Sequence, residues 1–223
     1  MTGPMSSDRV LDLFAGPGGA ARGFQQLGYE VIGVDLDPHP KYPAECIEHD
    51  LRDGLPEQVR GESYAYGWGS PPCLPFTTVG GDGPNLIPLA RDLLEEIDAE
   101  ATILENVPGA RSELEHPITL SGATEHELID LDIRKRRVFE VSWFGTTPPR
   151  DRDARFGYAI GSRETPAQGY REAHGLGDSG LHTKELHDAI PPDYVALLVW
   201  QHRRTKDLEL PVPLENQLKE ALV

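Results

Sequence analysis

The stretch Asp12-Leu13-Phe14-Ala15-Gly16-Pro17-Gly18-Gly19 decides the fold of this 223-residue chain. It follows the apolar residues Val10 and Leu11 and precedes a helix-like segment over 20–27 that ends at Gly28. A strand that enters a glycine turn and then a helix makes backbone N–H groups and a helix N-terminus face a nucleotide-like ligand. The stretch therefore predicts a cofactor-binding α/β domain.

A second strand pattern, Val31-Ile32-Gly33-Val34, ends in Asp35. That carboxylate follows the glycines at the distance, about twenty residues, at which an acidic side chain can accept hydrogen bonds from ribose hydroxyls. The glycine spacing differs from G-x-G-x-x-G, and Pro17 withholds one backbone donor from a phosphate. A cofactor that has a ribose but no pyrophosphate fits these residues better than a dinucleotide does.

Length and composition fit one α/β domain with at most a small appendage. No segment resembles a signal sequence or approaches the roughly eighteen apolar residues of a membrane span, so we expect a soluble, cytoplasmic protein. The two cysteines, Cys46 and Cys73, are too few for a disulfide framework. The eight histidines show no spacing typical of metal ligands, and no metal is expected.

The formal net charge of −16 is unusual for a protein that binds nucleic acid. The charge is unevenly distributed, with −17 over residues 1–133, +5 over 134–171 and −4 over 172–223. A basic segment can therefore coexist with an acidic body. Because lysines number only 5 against 16 arginines, a high-salt host proteome is an alternative reason for the acidity.

Strand and helix signals alternate as far as residue 104 and predict a doubly wound, Rossmann-like sheet. Further strands are predicted over 46–50, 64–68, 101–104 and 138–144, and helices over 90–97 and 191–200. We expect a catalytic, cofactor-binding core over 9–143, a small inserted target-recognition region over 144–184, a helix returning to the core over 185–204, and a loosely packed tail over 205–223.

A candidate nucleophile follows the strand over 64–68, in Gly69-Ser70-Pro71-Pro72-Cys73. The paired prolines restrict the backbone and hold Cys73 at the carboxyl edge of the sheet, where open α/β sheets place their sites. Without that context, a single cysteine is more often a small buried apolar residue. Glu105-Asn106-Val107-Pro108 ends the next strand, and the basic run 134–137 opens the last one.

These motifs resemble those of the cytosine-C5 DNA methyltransferases, and especially the compact phage-borne branch of that family. The resemblance covers about residues 9–201 and is specific in four separated motifs. It implies a class I S-adenosylmethionine-dependent methyltransferase fold. The sequence departs from the family pattern at Leu74, Ile133, Lys135 and Asp188, where the family has Gln, Gln, Arg and Asn.

The resemblance also implies the cofactor, S-adenosyl-L-methionine, and its contacts. Asp35 would bind the ribose, and Asp50 the adenine amino group. The full set of expected cofactor residues is Phe14, Ala15, Gly16, Gly18, Gly19, Asp35, Leu36, Asp50, Leu51, Pro72, Asp188 and Ala189.

Four residues would carry the chemistry that the resemblance implies. The Cys73 thiolate adds to carbon 6 of cytosine, and Glu105 acts as general acid at ring nitrogen 3. Lys135 and Arg137 are cations facing the substrate. Because strand side chains alternate, Arg134 and Arg136 are expected on a solvated face. A thiol with a reference pKa of about 8.5 is mostly protonated at neutral pH, so we expect a depressed pKa or a nearby base at Cys73.

The expected partner is double-stranded DNA, with its target cytosine flipped out and its backbone held by residues 134–171. The small recognition region predicts a short target or loose specificity. A phage- or virus-encoded monomer is the expectation, with the oligomeric state open. Two alternatives remain: a methyltransferase acting on RNA or a free pyrimidine nucleotide, favoured by the acidic body, and a catalytically silent cofactor- or DNA-binding protein, suggested by the departures from the family pattern.

Overall fold

A computed structural model describes residues 8–77, 80–129, 131, 133–151, 153 and 167–221 of the chain. Its strands are β1 (Arg9–Leu13), β2 (Glu30–Asp35), β3 (Glu45–Glu48), β4 (Ser63–Gly69), β5 (Asp98–Asn106), β6 (Ile118–Leu120) and β7 (Arg137–Val141). Its helices are α1 (Gly19–Gln26), α2 (Ile87–Glu96), α3 (Ala167–Ala173), α4 (Thr183–Asp188), α5 (Pro192–Thr205) and α6 (Val212–Ala221).

The strands form one sheet in the order β3-β2-β1-β4-β5-β7-β6. The first five strands are parallel, whereas β7 runs antiparallel to both β5 and β6. The chain moves outward from β1 to β3 and then returns to place β4 on the other side of β1. A crevice therefore opens at the carboxyl ends of β1 and β4, which is where doubly wound sheets bind their ligands.

Helices cover both faces of the sheet, which explains why its central strands are apolar on both sides. On one face α1 and α5 pack over a core that includes Phe24, Trp68 and Tyr194. On the other face α2 packs over a second core that includes Leu13 and Leu94. The predicted doubly wound fold is confirmed.

The predicted strands and helices are found within a few residues of their expected bounds. The strand β6 and the helices α3, α4 and α6 were not predicted, because they are short or rich in polar residues. Residues 205–221, expected as a loose tail, contain α6, and Leu214 is fully buried in the core. Residues 152 and 154–166 of the expected recognition region lie outside the described residues. Within the described ranges, no helix combines the length and apolar character that crossing a membrane requires.

The start of α1 packs closely against the chain that leads into α5. A Cβ atom on Gly19 would lie 2.2 Å from the carbonyl oxygen and 2.4 Å from the nitrogen of Ile190. Since backbone must shift to relieve that clash, Gly19→Ala is expected to lower the free energy of unfolding by about 1–3 kcal/mol, measured by urea denaturation. In the control Gly177→Ala the new Cβ meets only Glu172 Cγ at 3.7 Å. Equal denaturation midpoints for the two variants would contradict this packing.

Candidate active site

Three elements bring the predicted catalytic residues to one edge of the sheet. Cys73 follows the end of β4, and Glu105 lies near the end of the adjacent parallel strand β5. Because β7 is antiparallel to β5, it begins at that same edge, with Arg137 as its first residue. The structure therefore places Cys73, Glu105 and Arg137 at the crevice edge, as the sequence predicts.

Glu105 and Arg137 form a buried ion pair. Glu105 Oε1 lies 3.0 Å from Arg137 Nε, and both side chains are less than a tenth exposed. The contact lacks hydrogen-bond alignment, and Oε1 accepts no hydrogen bond from the described part of the chain. Burial raises the pKa of the Glu105 carboxyl, although Arg137 and a hydrogen bond with Ser70 oppose the rise. The site thus holds a buried carboxyl that retains its proton more readily than a solvated one and is paired with Arg137.

Backbone carbonyls fix the guanidinium of Arg137 in this position. Its Nη1 donates to the carbonyl of Arg136 at 2.9 Å, and its Nη2 donates to the carbonyl of His187 at 2.7 Å. These bonds leave Nε directed towards Glu105. Arg137 is therefore oriented before any ligand enters.

Asn106, which the sequence analysis did not single out, links the Glu105 strand to the Cys73 turn. Its buried Nδ2 donates to the carbonyl of Pro71 at 2.9 Å, and its Oδ1 accepts from the Val107 N–H at 2.9 Å. The amide thus holds the Pro-Pro-Cys turn against the end of β5. The sequence could have indicated this role, because it predicts that the strand ending at Asn106 lies beside the strand that leads to Pro71.

Cys73 is half-buried, and its thiol differs from the expected one. Burial raises the pKa of the thiol above its usual range, and this outweighs the lowering effect of Arg137. Nearby Glu105 and Asp188 raise it further. Of the two expectations for Cys73, a depressed pKa or a nearby base, the free protein shows the opposite of the first, because desolvation of a thiolate costs more than one guanidinium returns.

This raised pKa predicts how Cys73 reacts with iodoacetamide. In a Cys46→Ser background, the alkylation rate is expected to rise with pH between about pH 6 and 9, because only the thiolate reacts. The curve for the folded protein should lie at higher pH than that of the same protein in urea, whose thiol is solvated. Coinciding curves, or a folded curve at lower pH, would contradict the effect of burial.

Lys135, expected to face the substrate, is instead buried close to Glu105, Cys73 and Asp188. Its side chain is fully buried, and Nζ donates to the carbonyls of Leu186 and Ala189 at the end of α4. Burial lowers the pKa of its ammonium. The chain between α4 and α5 packs over this side chain and supplies those acceptors. Lys135 thus positions that segment, as does the Tyr194 hydroxyl, which donates to the Lys135 carbonyl.

The glycine loop after β1 has the backbone that the motif predicts. Gly16 and Gly18 have φ angles of 49° and 77°, and Phe14 adopts 58°, a left-handed conformation that is uncommon outside glycine. Ala15 N–H donates to the Val34 carbonyl at 3.2 Å, which ties the loop to β2. Arg22 also donates to two carbonyls of the loop.

Asp35 lies beside this loop at the end of β2. One carboxylate oxygen accepts the Gly16 N–H at 2.9 Å, and the other accepts the Asp37 N–H at 3.0 Å. Each oxygen keeps a second lone pair for a hydroxyl group. The next side chain, Leu36, is 61% exposed and offers an apolar surface at the crevice. This pair fits a ligand that carries a ribose and an aromatic base.

The other expected cofactor residues have mixed surroundings. Arg52 binds both oxygens of Asp50, at 2.5 to 3.0 Å, and holds the pKa of that carboxyl at about 2. Leu51 is buried in the core, and Pro72 is exposed beside Cys73. Asp188 is exposed, and its charge acts on Cys73 and Glu105. The structure thus brings Asp188 towards the nucleophile.

Tyr42, another residue that the sequence analysis missed, packs against the strands β1 and β2 that lead to the crevice. Its hydroxyl donates to Asp12 Oδ2 at 2.9 Å, and its ring fills the space that a side chain at Gly33 would need. Asp12 is buried, and burial raises the pKa of its carboxyl to about 8. Tyr42 lies in a loop without periodic pattern, so only the fold reveals this contact.

Among the described side chains, His, Cys, Asp and Glu form no group of three or more that could hold a metal ion. The chemistry available at the site is that of a thiol, a protonatable buried carboxyl and a fixed guanidinium.

Known proteins share parts of this sequence and its fold. No family model matches the sequence. The chain is 32% identical over 117 residues to the Type II methyltransferase M.AplI of Arthrospira platensis, an alignment that covers 45% of this chain. The alignment spans 31% of that relative's length. This homology to a Type II methyltransferase confirms the resemblance drawn from the motifs.

Two solved structures share the fold. The S. pombe Dnmt2 methyltransferase has a TM-score of 0.57 and 12% identity, over 90% of this chain and 99% of that one. The Entamoeba histolytica methyltransferase EhMeth has a TM-score of 0.59 and 11% identity, over 91% and 99%. These likenesses show that the chain has the same Rossmann-like fold as these two methyltransferases.

Proposed function

We propose that the chain transfers a methyl group from S-adenosylmethionine to carbon 5 of cytosine in DNA through a covalent adduct with Cys73. One observation carries the proposal: a half-buried thiol shares a sheet edge with a buried Glu105–Arg137 pair whose Oε1 accepts no hydrogen bond from the described residues. A thiol nucleophile and a carboxyl that can donate a proton are two of the groups that this reaction requires.

The crevice residues fit the proposed cofactor. Asp35 would accept the ribose hydroxyls, Leu36 would contact the adenine, and the loop over 14–19 would enclose the methionine end. When bound, S-adenosylmethionine supplies an electrophilic methyl group. The proposal does not depend on Asp50, because Arg52 already binds its carboxylate.

The Cys73 thiol would first lose its proton to solvent, and the thiolate sulfur would then form a bond to carbon 6 of the cytosine as the carbon 5–carbon 6 double bond opens. Glu105 donates a proton towards ring nitrogen 3, which withdraws electrons from carbon 6 and favours that addition. The former double-bond electrons would then form the bond from carbon 5 to the methyl group, while the methyl–sulfur bond of the sulfonium donor breaks and leaves a neutral thioether. Loss of the carbon 5 proton to a base restores the double bond and expels the Cys73 thiolate.

The geometry of DNA adds one requirement. Carbon 6 is inaccessible in a stacked duplex, so the target cytosine must leave the helix to meet the half-buried Cys73. The carboxyl edge of the sheet is open to solvent at Pro72 and Asp188 and offers the entry route.

A second candidate is methylation of RNA or of a free pyrimidine nucleotide. The net charge of −16 favours it, because repulsion of a long phosphate backbone grows with that charge. A smaller or single-stranded substrate would meet less repulsion and need no base flipping.

Methylation of three substrates decides between these candidates. Duplex DNA, an RNA transcript and dCMP are each incubated with the protein and isotope-labelled S-adenosylmethionine, and the hydrolysed nucleosides are analysed by mass spectrometry. We expect 5-methyldeoxycytidine from duplex DNA and none with Cys73→Ala. Methylation of an amino group instead would contradict the proposal, and product from RNA or dCMP alone would favour the second candidate. Sequencing plasmid from expressing cells then gives the target sequence.

A further inference from the structure

Two arginines that the proposed chemistry does not use lie just before β7. Arg136 Nη2 is 3.0 Å from an oxygen of Asp151, and Arg134 Nη2 is 3.8 Å from an oxygen of Asp153. Both arginine side chains remain about half exposed. The sequence analysis expected them on a solvated face, within the segment 134–171 expected to hold the DNA backbone, and the structure pairs each with an aspartate.

These arginines flank the candidate active site. They precede β7 at the edge of the sheet where Cys73 and Glu105 lie. The carbonyl of Arg136 accepts a hydrogen bond from Arg137, the residue that contacts Glu105. From this placement we expect the backbone of a nucleic acid whose base enters the crevice to pass close to Arg134 and Arg136.

The acidic segment is attached locally to the body of the protein. Asp151 forms an isolated antiparallel bridge with Thr124, and the Arg150 carbonyl accepts the Glu125 N–H at 2.8 Å. Glu125 lines the same shallow cavity as the two ion pairs. Three carboxylates thus surround two guanidiniums, and the local charge is negative beside a site proposed to bind a polyanion.

We propose that Arg134 and Arg136 bind backbone phosphates of duplex DNA, and that Asp151 and Asp153 occupy the phosphate positions until DNA displaces them. The choice of duplex DNA as the partner rests on the proposed function. Guanidinium groups pair with carboxylate and phosphate through the same planar donors. Exposed ion pairs are weak, so a duplex with many phosphates can replace them.

Charge-neutral variants of the two aspartates test this exchange. Anisotropy of a labelled duplex measures affinity over a range of salt concentrations. Asp151→Asn with Asp153→Asn is expected to lower the Kd for DNA about three- to tenfold at low salt. Arg134→Gln with Arg136→Gln is expected to weaken binding and to reduce the slope of log Kd against log salt by about two. A thermal unfolding transition shows that each of these variants, in which only exposed side chains change, is folded.

Two comparisons separate the site from the general effect of charge. Glu57→Gln with Glu96→Gln removes two exposed charges near the opposite edge of the sheet and should change affinity much less. In the Arg134→Gln, Arg136→Gln background, the aspartate substitutions should lower the Kd for DNA much less than they do in the parent protein. The phosphate site would be overturned if the aspartate substitutions lowered the Kd no more than the Glu57→Gln, Glu96→Gln control does. It would also be overturned if they lowered the Kd equally in the absence of the two arginines.

The outcome is distinguishable from failure of the proposed function. Binding is measured without methyl transfer, so an absence of 5-methyldeoxycytidine leaves the anisotropy result interpretable. If the variants change affinity for a single-stranded RNA but not for duplex DNA, the assignment to duplex DNA is overturned.

Discussion

Cys73→Ala is expected to abolish methyl transfer, with a loss on the order of 10⁴- to 10⁶-fold in turnover, as expected when a catalytic nucleophile is removed. Carbon 5 of cytosine is too weakly nucleophilic to attack a methyl sulfonium, and it becomes reactive only after a thiolate adds to carbon 6. Single-turnover transfer of labelled methyl groups to DNA measures the loss.

The other cysteine provides the matched control. Cys46 lies on β3, on the far side of β1 and β2 from Cys73. Cys46→Ser is expected to retain most of the activity, and Cys73→Ala should still bind the cofactor, because no residue of the glycine loop changes. Activity of Cys73→Ala within tenfold of the parent protein would contradict the covalent mechanism.

Glu105→Gln is expected to reduce turnover by about 10²- to 10⁴-fold, the range for loss of a general acid. Glutamine keeps the shape of the side chain but cannot give a proton to ring nitrogen 3. Because burial raises the pKa of Glu105, the parent protein should lose activity at high pH as this carboxyl ionises, and the variant should lack that part of the pH–rate profile. Single-turnover rates across pH measure both effects.

Glu113→Gln is the control for this substitution. Glu113 is exposed, and its carboxylate accepts a hydrogen bond from Asn85 rather than facing the crevice. Its activity should match that of the parent protein. Glu105→Gln also leaves Arg137 without its buried counter-charge. The free energy of unfolding of the variant must therefore be measured by urea denaturation alongside its rate. Unchanged turnover in a folded Glu105→Gln protein would remove Glu105 from the mechanism.

The sequence alone was sufficient to place the site residues that lie on strands of the sheet or directly after them. Apolar runs buried on both faces predict the strands, and the carboxyl ends of parallel strands meet at one edge. Asp35, Cys73 and Glu105 could therefore be placed together, since each follows or ends such a run. Arg137 follows from the same reasoning once β7 is recognised as a strand.

The remaining contacts join segments that are distant in the chain, and no local pattern encodes them. Lys135 meets the carbonyls of 186 and 189 only because α4 and α5 fold back over β7. Tyr42 reaches Asp12 from an irregular loop. The pKa of Cys73 depends on how completely the fold removes water from the sulfur, a quantity that its neighbours in sequence do not determine.

The most direct test of the central claim is the trapping of the covalent adduct. Duplex DNA that carries 5-fluorocytosine at the target is incubated with the protein and S-adenosylmethionine, then denatured and examined by intact mass. Fluorine leaves carbon 5 without a proton to lose, so the carbon–sulfur bond cannot break. We predict a denaturant-stable species with the mass of protein, DNA and one methyl group, absent with Cys73→Ala. Methylation of ordinary DNA without any such species would contradict the account.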